Sequence, residues 1–282
     1  MTTPVGQAAD QSQTFGERFL ARAAELGPLC VGLDPHAHIL ERWGLSYDLD
    51  GLKEFTDTAV AAFRDTVAVV KPQVAFYEAF GAAGFEVLQN AMAELREAGV
   101  LVIADAKRGD IGSTMAGYAS AWLRPGSPLE ADALTVSPWL GVDSLAPVFE
   151  LAAEYNKGAI VLAATSNPEA PSVQLSQTQS GATLAQAVCD RVAELNAGDK
   201  PGNVGVVVGA TVENPPVLDQ VNGMILMPGV GAQGGTMADV RRICGEAAPF
   251  ASPNVSRAVL NEGPAVADLQ AAARRFAAEL QV

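Results

Sequence analysis

The segment DAKRGD, residues 105–110, holds the densest group of side chains that could do chemistry. It follows the apolar run VLVI, which is typical of a buried strand. Asp105 and Lys107 are two residues apart, so both side chains lie on the same side of a strand. Asp110 comes just beyond, at the turn into the next segment. A carboxylate and an ammonium held together at a strand end can stabilise charge and transfer a proton.

Two further charged residues end apolar runs in the same way. Asp34 closes LCVGLD, and Lys71 lies at the end of VAVVKPQ. The chain has only five lysines, and two of them, Lys71 and Lys107, follow strand-like runs. A lysine in such a place is costly unless carboxylates surround it. Structural ion pairing would explain either lysine alone, whereas alternating lysines and carboxylates favour a catalytic cluster.

A glycine-rich segment, PGVGAQGG at residues 228–235, predicts a site for an anion. It contains GxGxxG, which also occurs in dinucleotide-binding domains. Fewer than 50 residues follow it and no acidic residue closes the next strand, so a dinucleotide site is disfavoured. In a barrel, such a loop and a basic residue after the last strand form a phosphate cradle. Gln233 and Arg257 are the side chains that would contact the phosphate.

Other reactive residue types have simpler interpretations. His36 and His38 have the spacing of a metallohydrolase site, but the chain has only these two histidines, so we predict surface histidines and no metal. Cys30 and Cys189 occupy apolar periodic positions and are predicted to be buried fillers. Trp139 is predicted to pack against other side chains of the protein rather than to bind a ligand.

Short β-branched runs alternate with amphipathic segments along the chain. This alternation predicts the strands at whose ends the charged residues lie. The predicted strands are 29–34, 67–73, 100–107, 133–139, 158–165, 204–210, 223–230 and 250–256. Eight apolar strands with helices between them predict a (β/α)8 TIM barrel, with a doubly wound open sheet as the alternative. We predict one catalytic domain over 14–282, after a tail at 1–13. The stretch 166–181 after the fifth strand is the longest irregular one.

Composition excludes several classes of protein. Apolar residues make up 49% of the 282 residues and the net charge is −14, so the chain can form a large core and repels nucleic acid and acidic membranes. Its three cysteines include no CxxC pair, which fits a reducing cytoplasm. The first residues do not resemble a signal peptide, and no apolar run is long enough to cross a membrane.

Taken together, these segments resemble the orotidine 5′-phosphate decarboxylase family, in its longer bacterial branch. DAKRGDIGST at 105–114 resembles the family signature D-x-K-x-x-D-I-x-x-T residue for residue. The supporting pieces are Asp34, Lys71 in VKPQ, TSNP at 165–168, PGVGAQGG and Arg257. One residue departs from the family pattern, since Ser256 stands where a glycine usually precedes the phosphate-binding arginine.

The resemblance implies a catalytic role for each member of a Lys-Asp-Lys-Asp array. Lys107 would donate a proton to C6 of the pyrimidine, and Asp105 would lie against the substrate carboxylate. Lys71 and Asp110 would complete the array. Asp110 and Thr114 would reach into the site of a second subunit, which implies a homodimer with shared active sites.

The resemblance also assigns the binding residues. Asp34 would contact the ribose, and Gln233 and Arg257 the phosphate. Ser166 would contact the pyrimidine edge, although 165–167 offers three adjacent polar side chains.

The implied activity is the cofactor-free decarboxylation of orotidine 5′-phosphate to UMP and CO2, the last step of de novo UMP synthesis. Two alternatives remain open at this point. One is a Mg²⁺-dependent sugar-phosphate decarboxylase or hexulose-phosphate synthase on a related barrel, which needs further carboxylates near the strand ends. The other is a noncatalytic sensor of a phosphate ligand, which leaves the lysines and aspartates unexplained.

Overall fold

The structure is a computed structural model that describes residues 13–231 and 234–280. Most of the predicted tail at 1–13 lies outside these residues. The elements run from Phe15 to Glu279. No helix within the described ranges is both long enough and apolar enough to span a membrane.

Eight parallel strands form a closed barrel in which each strand pairs with its sequence neighbours and the last pairs with the first. The strands are β1 (Cys30–Leu33), β2 (Val69–Pro72), β3 (Leu101–Arg108), β4 (Ala133–Val136), β5 (Gly158–Ala164), β6 (Val204–Val208), β7 (Ile225–Pro228) and β8 (Ala251–Val255). All eight predicted strands are present, with bounds that differ by at most three residues. The TIM barrel is confirmed, and the open sheet is wrong.

Helices surround the barrel. They are α1 (Phe15–Leu26), α2 (Ala37–Arg42), α3 (Leu49–Phe63), α4 (Val74–Glu78), α5 (Gly81–Glu97), α6 (Gly112–Leu123), α7 (Ala146–Tyr155), α8 (Pro171–Gln174), α9 (Leu184–Leu195), α10 (Met237–Cys244), α11 (Arg257–Leu260) and α12 (Val266–Glu279). The crossover from β6 to β7 has no helix, which departs from the regular pattern. The predicted irregular stretch 166–181 contains α8.

Helix α1 closes the amino-terminal end of the barrel. Thr14 caps it by accepting a hydrogen bond from the backbone of Glu17, whose side chain accepts one from the backbone of Thr14. Phe15 and Phe19 are buried among the side chains inside the barrel. A Cβ at Gly158 would lie 2.7 Å from the Phe15 ring, so this glycine makes room for it. These side chains therefore fill the amino-terminal end of the barrel.

Candidate active site

Asp105 and Lys107 meet at the open end of the barrel, as predicted, with Lys107 Nζ 2.6 Å from Asp105 Oδ1. Regular strand alternation does not bring them together. Lys107 has a φ of +48°, in the left-handed region that a lysine rarely adopts. The pairing of β3 with β4 also shifts register between Ala104 and Arg108. The strand bulges where its reactive side chains lie, and such local strain is concentrated at functional sites.

Lys71 is the second cation on the same carboxylate. Its Nζ lies 2.7 Å from Asp105 Oδ2, and the lysine is only 5% exposed. Burial lowers the pKa of Lys71, but the charges of Asp105 and Asp34 outweigh burial and raise it above its usual range. Burial likewise raises the pKa of Asp105, and the two lysines outweigh it and hold that pKa well below its usual range. The carboxylate therefore stays ionised, and the Lys-Asp-Lys group carries one net positive charge.

Two residues that sequence reasoning missed also hold Asp105. The buried hydroxyl of Thr135, on β4, donates to Asp105 Oδ1 at 2.9 Å. The Gln73 amide, with its nitrogen turned toward Asp105, donates to the backbone oxygen at 3.0 Å and to Oδ2 at 2.8 Å. Neither residue lies near 105 in the sequence, and the pairing of β3 with its neighbouring strand segments brings them there. The position of Gln73 directly after a strand is the one signal that could have suggested it.

Asp34 and Arg257 lie at the same open end, and each has polar atoms without a hydrogen-bond or ion-pair partner among the described residues. Asp34 follows β1, and its buried Oδ1 has no hydrogen-bond partner in the described part of the chain. The buried Oγ of Ser256 is unpartnered in the same way. Both side chains border Gly32, where a Cβ would lie 2.9 Å from Asp34 Oδ2 and 3.0 Å from Ser256 Oγ. Arg257 begins α11 and is exposed, and its guanidinium forms no ion pair with another described residue.

The glycine-rich loop between β7 and α10 folds back on itself. Gly235 donates its backbone N–H to the oxygen of Gly229 at 3.0 Å, and Gly231 donates to Gly235 at 2.9 Å. A Cβ at Gly235 would lie 2.8 Å from the Gly229 oxygen, so only glycine fits there. A Cβ on Gly231 would come within 3.9 Å of Ala258, which places the loop beside the start of α11. Gln233 lies outside the described residues.

Ser166 follows β5 at the same end of the barrel and is exposed. Its neighbours bond locally, because Thr165 Oγ1 donates to Asn167 Oδ1 at 2.7 Å and accepts from Gln174 at 2.9 Å. A Cβ on Gly209, after β6, would lie 3.3 Å from Ser166 Cβ.

Asp110 does not join the lysines of its own chain. Within the described ranges it forms no ion pair with Lys71 or Lys107, and its Oδ1 accepts a hydrogen bond from the backbone of Ile111 at 2.8 Å. It is also not the N-cap of α6, because that position is Ile111. Thr114 is exposed on the first turn of the same helix. The structure thus brings together three members of the predicted four-residue array and leaves the fourth apart.

The remaining reactive residue types are not arranged for metal or thiol chemistry. His36 and His38 stack with ring centroids 5.1 Å apart, and His36 packs against Phe76. No group of three or more His, Cys, Asp or Glu side chains among the described residues could hold a metal ion. Cys30 and Cys189 are buried, as predicted, and burial raises the pKa of each to about 12. Trp139 is 74% exposed, so the prediction that it packs within the chain is wrong.

Comparison with known proteins agrees with this geometry. Residues 27–272 match the Orotidine 5′-phosphate decarboxylase / HUMPS family. The chain is 58% identical to an orotidine 5′-phosphate decarboxylase of Corynebacterium efficiens over 95% of its length and 97% of the relative's. It is 55% identical to one of Salinispora arenicola over 95% and 97% of the two lengths.

Solved structures extend the likeness to the fold. A crystal structure from Streptomyces avermitilis, proposed to be an orotidine 5′-phosphate decarboxylase, has 49% sequence identity and a TM-score of 0.93 over 99% of this chain and 98% of that one. The Leishmania donovani OMP decarboxylase has 31% identity and a TM-score of 0.73 over 95% and 98% of the two chains. Given the match to residues 27–272 and these relatives, the chain belongs to the Orotidine 5′-phosphate decarboxylase / HUMPS family.

Proposed function

We propose that this protein decarboxylates orotidine 5′-phosphate to UMP and CO2 in pyrimidine biosynthesis, without a cofactor. The observation that carries the proposal is the buried Asp105 carboxylate shared by Lys71 and Lys107 at the open end of the barrel. Relatives at 55–58% identity, which have the same activity in their names, support it.

The reaction needs a cation where negative charge develops. When the bond between C6 and the carboxylate carbon breaks, its electron pair stays on C6 and CO2 leaves. The Lys107 ammonium stabilises this pair and then donates its proton to C6, and solvent reprotonates the amine. Unit charges about 4 Å apart interact by roughly 4 kcal/mol at an effective dielectric constant near 20. Lys107 suits this role because its side chain is 43% exposed and faces the opening.

Asp105 keeps the lysine oriented and lies against the substrate carboxylate in this mechanism. Its two ammonium partners keep it ionised, so two negative charges meet when the substrate binds. Their repulsion is relieved when CO2 departs, which lowers the barrier relative to the bound state. Lys71, which is buried, holds the other oxygen of Asp105.

The unpaired groups around this centre would bind the rest of the nucleotide. Arg257 would bind the phosphate, helped by Gln233 and the backbone N–H groups of the glycine-rich loop. Asp34, whose buried Oδ1 has no partner among the described residues, would accept a hydrogen bond from a ribose hydroxyl. Ser166 would contact the pyrimidine edge. The phosphate supplies binding energy far from the reacting carbon, which can orient the pyrimidine over Lys107.

The donor set disfavours the Mg²⁺-dependent alternative. Mg²⁺ takes carboxylate oxygens and keeps several waters. Both oxygens of Asp105 already accept from ammonium groups, and Lys71 occupies the end of β2 where a further carboxylate would be needed.

An absorbance assay with orotidine 5′-phosphate, run with and without EDTA, tests the proposal. We expect equal rates in both. Loss of activity in EDTA would favour the metal-dependent alternative, and binding of UMP without turnover would favour a sensor.

We further propose a two-fold homodimer in which Asp110 and Thr114 complete the partner's site. Asp110 lies beside an exposed apolar patch of Ile111, Trp139 and Leu140, which are 61%, 74% and 54% exposed. These residues follow the ends of β3 and β4, so the patch borders the open end of the barrel. Exposed apolar patches of this kind mark interfaces, and a two-fold interface would bring Asp110 of each subunit to the other's opening.

Mixing two inactive variants tests the shared sites. Asp110→Ala and Lys107→Ala homodimers should each be nearly inactive, because every site lacks one member of the array. In a mixed dimer, one site carries both changes and the other carries neither. Remixing after mild dissociation should restore up to about a quarter of wild-type activity. If mixed dimers form and no activity returns, Asp110 acts within its own subunit.

The cytoplasm is the compartment that we propose for this enzyme. All three cysteines, Cys30, Cys189 and Cys244, are buried and unpaired, which suits a reducing environment. The net charge of −14 opposes binding to nucleic acid or acidic membranes and leaves a small nucleotide as the expected partner.

A further inference from the structure

The bulge in β3 leaves a gap in the hydrogen-bond ladder beside the reactive residues. Ala104 pairs with Leu134, and the next pair is Arg108 with Val136. Three residues of β3, 105–107, therefore face a single residue of β4, Thr135. The backbone bonds resume on both sides, from Asp132 N to Val102 O at 2.9 Å and from Ser137 N to Arg108 O at 2.8 Å.

The Thr135 hydroxyl fills this gap. Its Oγ1 accepts a hydrogen bond from the backbone N–H of Lys107 at 3.0 Å. The hydroxyl has one proton to donate, and the nearer acceptor is Asp105 Oδ1 at 2.9 Å rather than the Ala104 oxygen at 3.5 Å. A bond to a carboxylate is also the stronger of the two. One oxygen atom thus ties the backbone of Lys107 to the side chain of Asp105.

This link acts where the chain is under strain. The left-handed φ of Lys107 is unfavourable for a residue with a side chain and persists only where the surrounding structure enforces it. Thr135 has no exposed surface, so water cannot replace its hydroxyl. The ion pair between Lys107 and Asp105 fixes the far end of the lysine side chain, while Thr135 fixes its backbone. The two contacts together determine where the ammonium lies.

We propose that Thr135 is a positioning residue that sets the placement of the Lys107 ammonium against Asp105. The inference rests on the proposed function, because it assigns Lys107 as the proton donor. Thr135 itself contacts no substrate. Thr135 lies on β4, next to the reactive side chains of β3. It acts through its hydrogen bonds with the backbone of Lys107 and the carboxylate of Asp105.

Two variants separate positioning from packing. Thr135→Val keeps the shape of the side chain and removes both hydrogen bonds, whereas Thr135→Ser keeps the hydroxyl and removes a methyl group. A misplacement of about 1 Å can reduce a rate by about a hundredfold. We expect Thr135→Val to lower kcat by about tenfold to a hundredfold and to change KM by less than about threefold. Thr135→Ser should retain kcat within about threefold of wild type.

Thr66→Val is the matched control. Thr66 is also buried, at 4% exposed, and its hydroxyl donates to Ala62 at 2.8 Å, away from the site. It should lower the melting temperature without changing kcat. If Thr135→Val keeps the wild-type kcat, or if Thr135→Ser loses as much kcat as Thr135→Val, the inference is wrong.

Crystal structures test the role of Thr135 without relying on the proposed decarboxylase activity. Crystal structures of the two Thr135 variants should show the positive φ of Lys107 and its contact with Asp105 kept in the serine variant and lost in the valine variant. If wild type does not act on orotidine 5′-phosphate, the proposed function fails, and these structures still decide the role of Thr135. An unchanged Lys107 in the valine variant would overturn it.

Discussion

At the amino-terminal end of the barrel, Asp132 accepts hydrogen bonds from Arg18 at 2.9 Å and from the backbone of Val102 at 3.1 Å. Lys157 lies 2.8 Å from Glu130 and 3.8 Å from Asp132. At the carboxyl end, Lys71 and Lys107 share Asp105 in a similar cluster of opposite charges. Both ends thus enclose aspartate and lysine in ion pairs at barrel openings.

The two clusters differ in what covers them and in what they leave unpaired. Helix α1, which carries Arg18, covers the amino-terminal cluster. The carboxyl-end cluster is more open, because the Lys107 side chain is 43% exposed. Among the described residues, the nearby Asp34 oxygen has no hydrogen-bond partner and Arg257 forms no ion pair. The same residue types therefore stabilise the fold where the chain supplies every countercharge, and can bind and transform a ligand where it does not.

Lys107→Ala gives the largest expected effect and tests the open end. Loss of the Lys107 ammonium should reduce kcat by at least about a thousandfold, since it removes both the proton donor and the cation at C6. Thermal stability and binding of UMP should change little, because the side chain is 43% exposed. Steady-state kinetics, melting curves and UMP titration measure this.

Lys200→Ala is the control for that variant, since Lys200 is an exposed lysine paired with Glu17 at 3.4 Å. It should keep the wild-type kcat. A Lys107→Ala enzyme that kept more than about a tenth of kcat, a loss below roughly 1.4 kcal/mol, would rule out the proton-donor role.

Asp132→Asn tests the closed end. Removing one charge from a buried ion pair leaves its cations unpaired, so the free energy of unfolding should fall by about 3 kcal/mol. The kcat of the folded enzyme should stay at the wild-type value. Urea unfolding measures the free energy of unfolding, and kinetics at saturating substrate measure kcat. A large fall in kcat with unchanged stability would contradict the assignment of a stabilising role to the amino-terminal cluster.

Arg257→Ala separates binding from chemistry within the open end. Its phosphate contact would be made in both the ground state and the transition state, so KM should rise by about tenfold to a hundredfold with a smaller change in kcat. Arg275→Ala, at an exposed arginine paired with Glu262, should change neither. Equal rates of Arg257→Ala and wild type at low substrate would rule out this phosphate site.

The smallest expected effect is the pH dependence of stability at the closed end. Burial raises the pKa of Asp132, but Arg18 and Lys157 outweigh burial and hold it below its usual range. A carboxyl whose pKa is depressed by folding contributes stability that is present above its unfolded pKa, near 4, and is lost as pH falls toward the folded value.

The free energy of unfolding should therefore decrease from about pH 5 downward, and less steeply in Asp132→Asn than in wild type. Asp57→Asn, at an exposed residue of α3, should keep the wild-type slope. Urea unfolding at several acidic pH values measures the slopes. Equal slopes in Asp132→Asn and wild type would contradict the prediction.

Much of the fold and part of the site could be predicted from the sequence. Apolar runs that alternate with amphipathic segments predict a closed parallel barrel, because such strands must be covered by helices. The carboxyl ends of parallel strands meet at one opening, so Asp34, Lys71 and Asp105 were correctly predicted to lie there. Lys107 is two residues from Asp105, and their contact was predicted from that spacing, although a bulge and a left-handed φ produce it.

What remained depended on contacts between residues distant in the chain. Thr135 reaches Asp105 only because β4 pairs with β3 in a shifted register, and Gln73 reaches it through the neighbouring β2 segment. The separation of Asp110 from both lysines follows from the turn that precedes α6. These contacts carry no periodic or compositional signal, because strand register and the turn before α6 set them. The sequence alone determined which residues end each strand, and only the tertiary structure decided which of them touch.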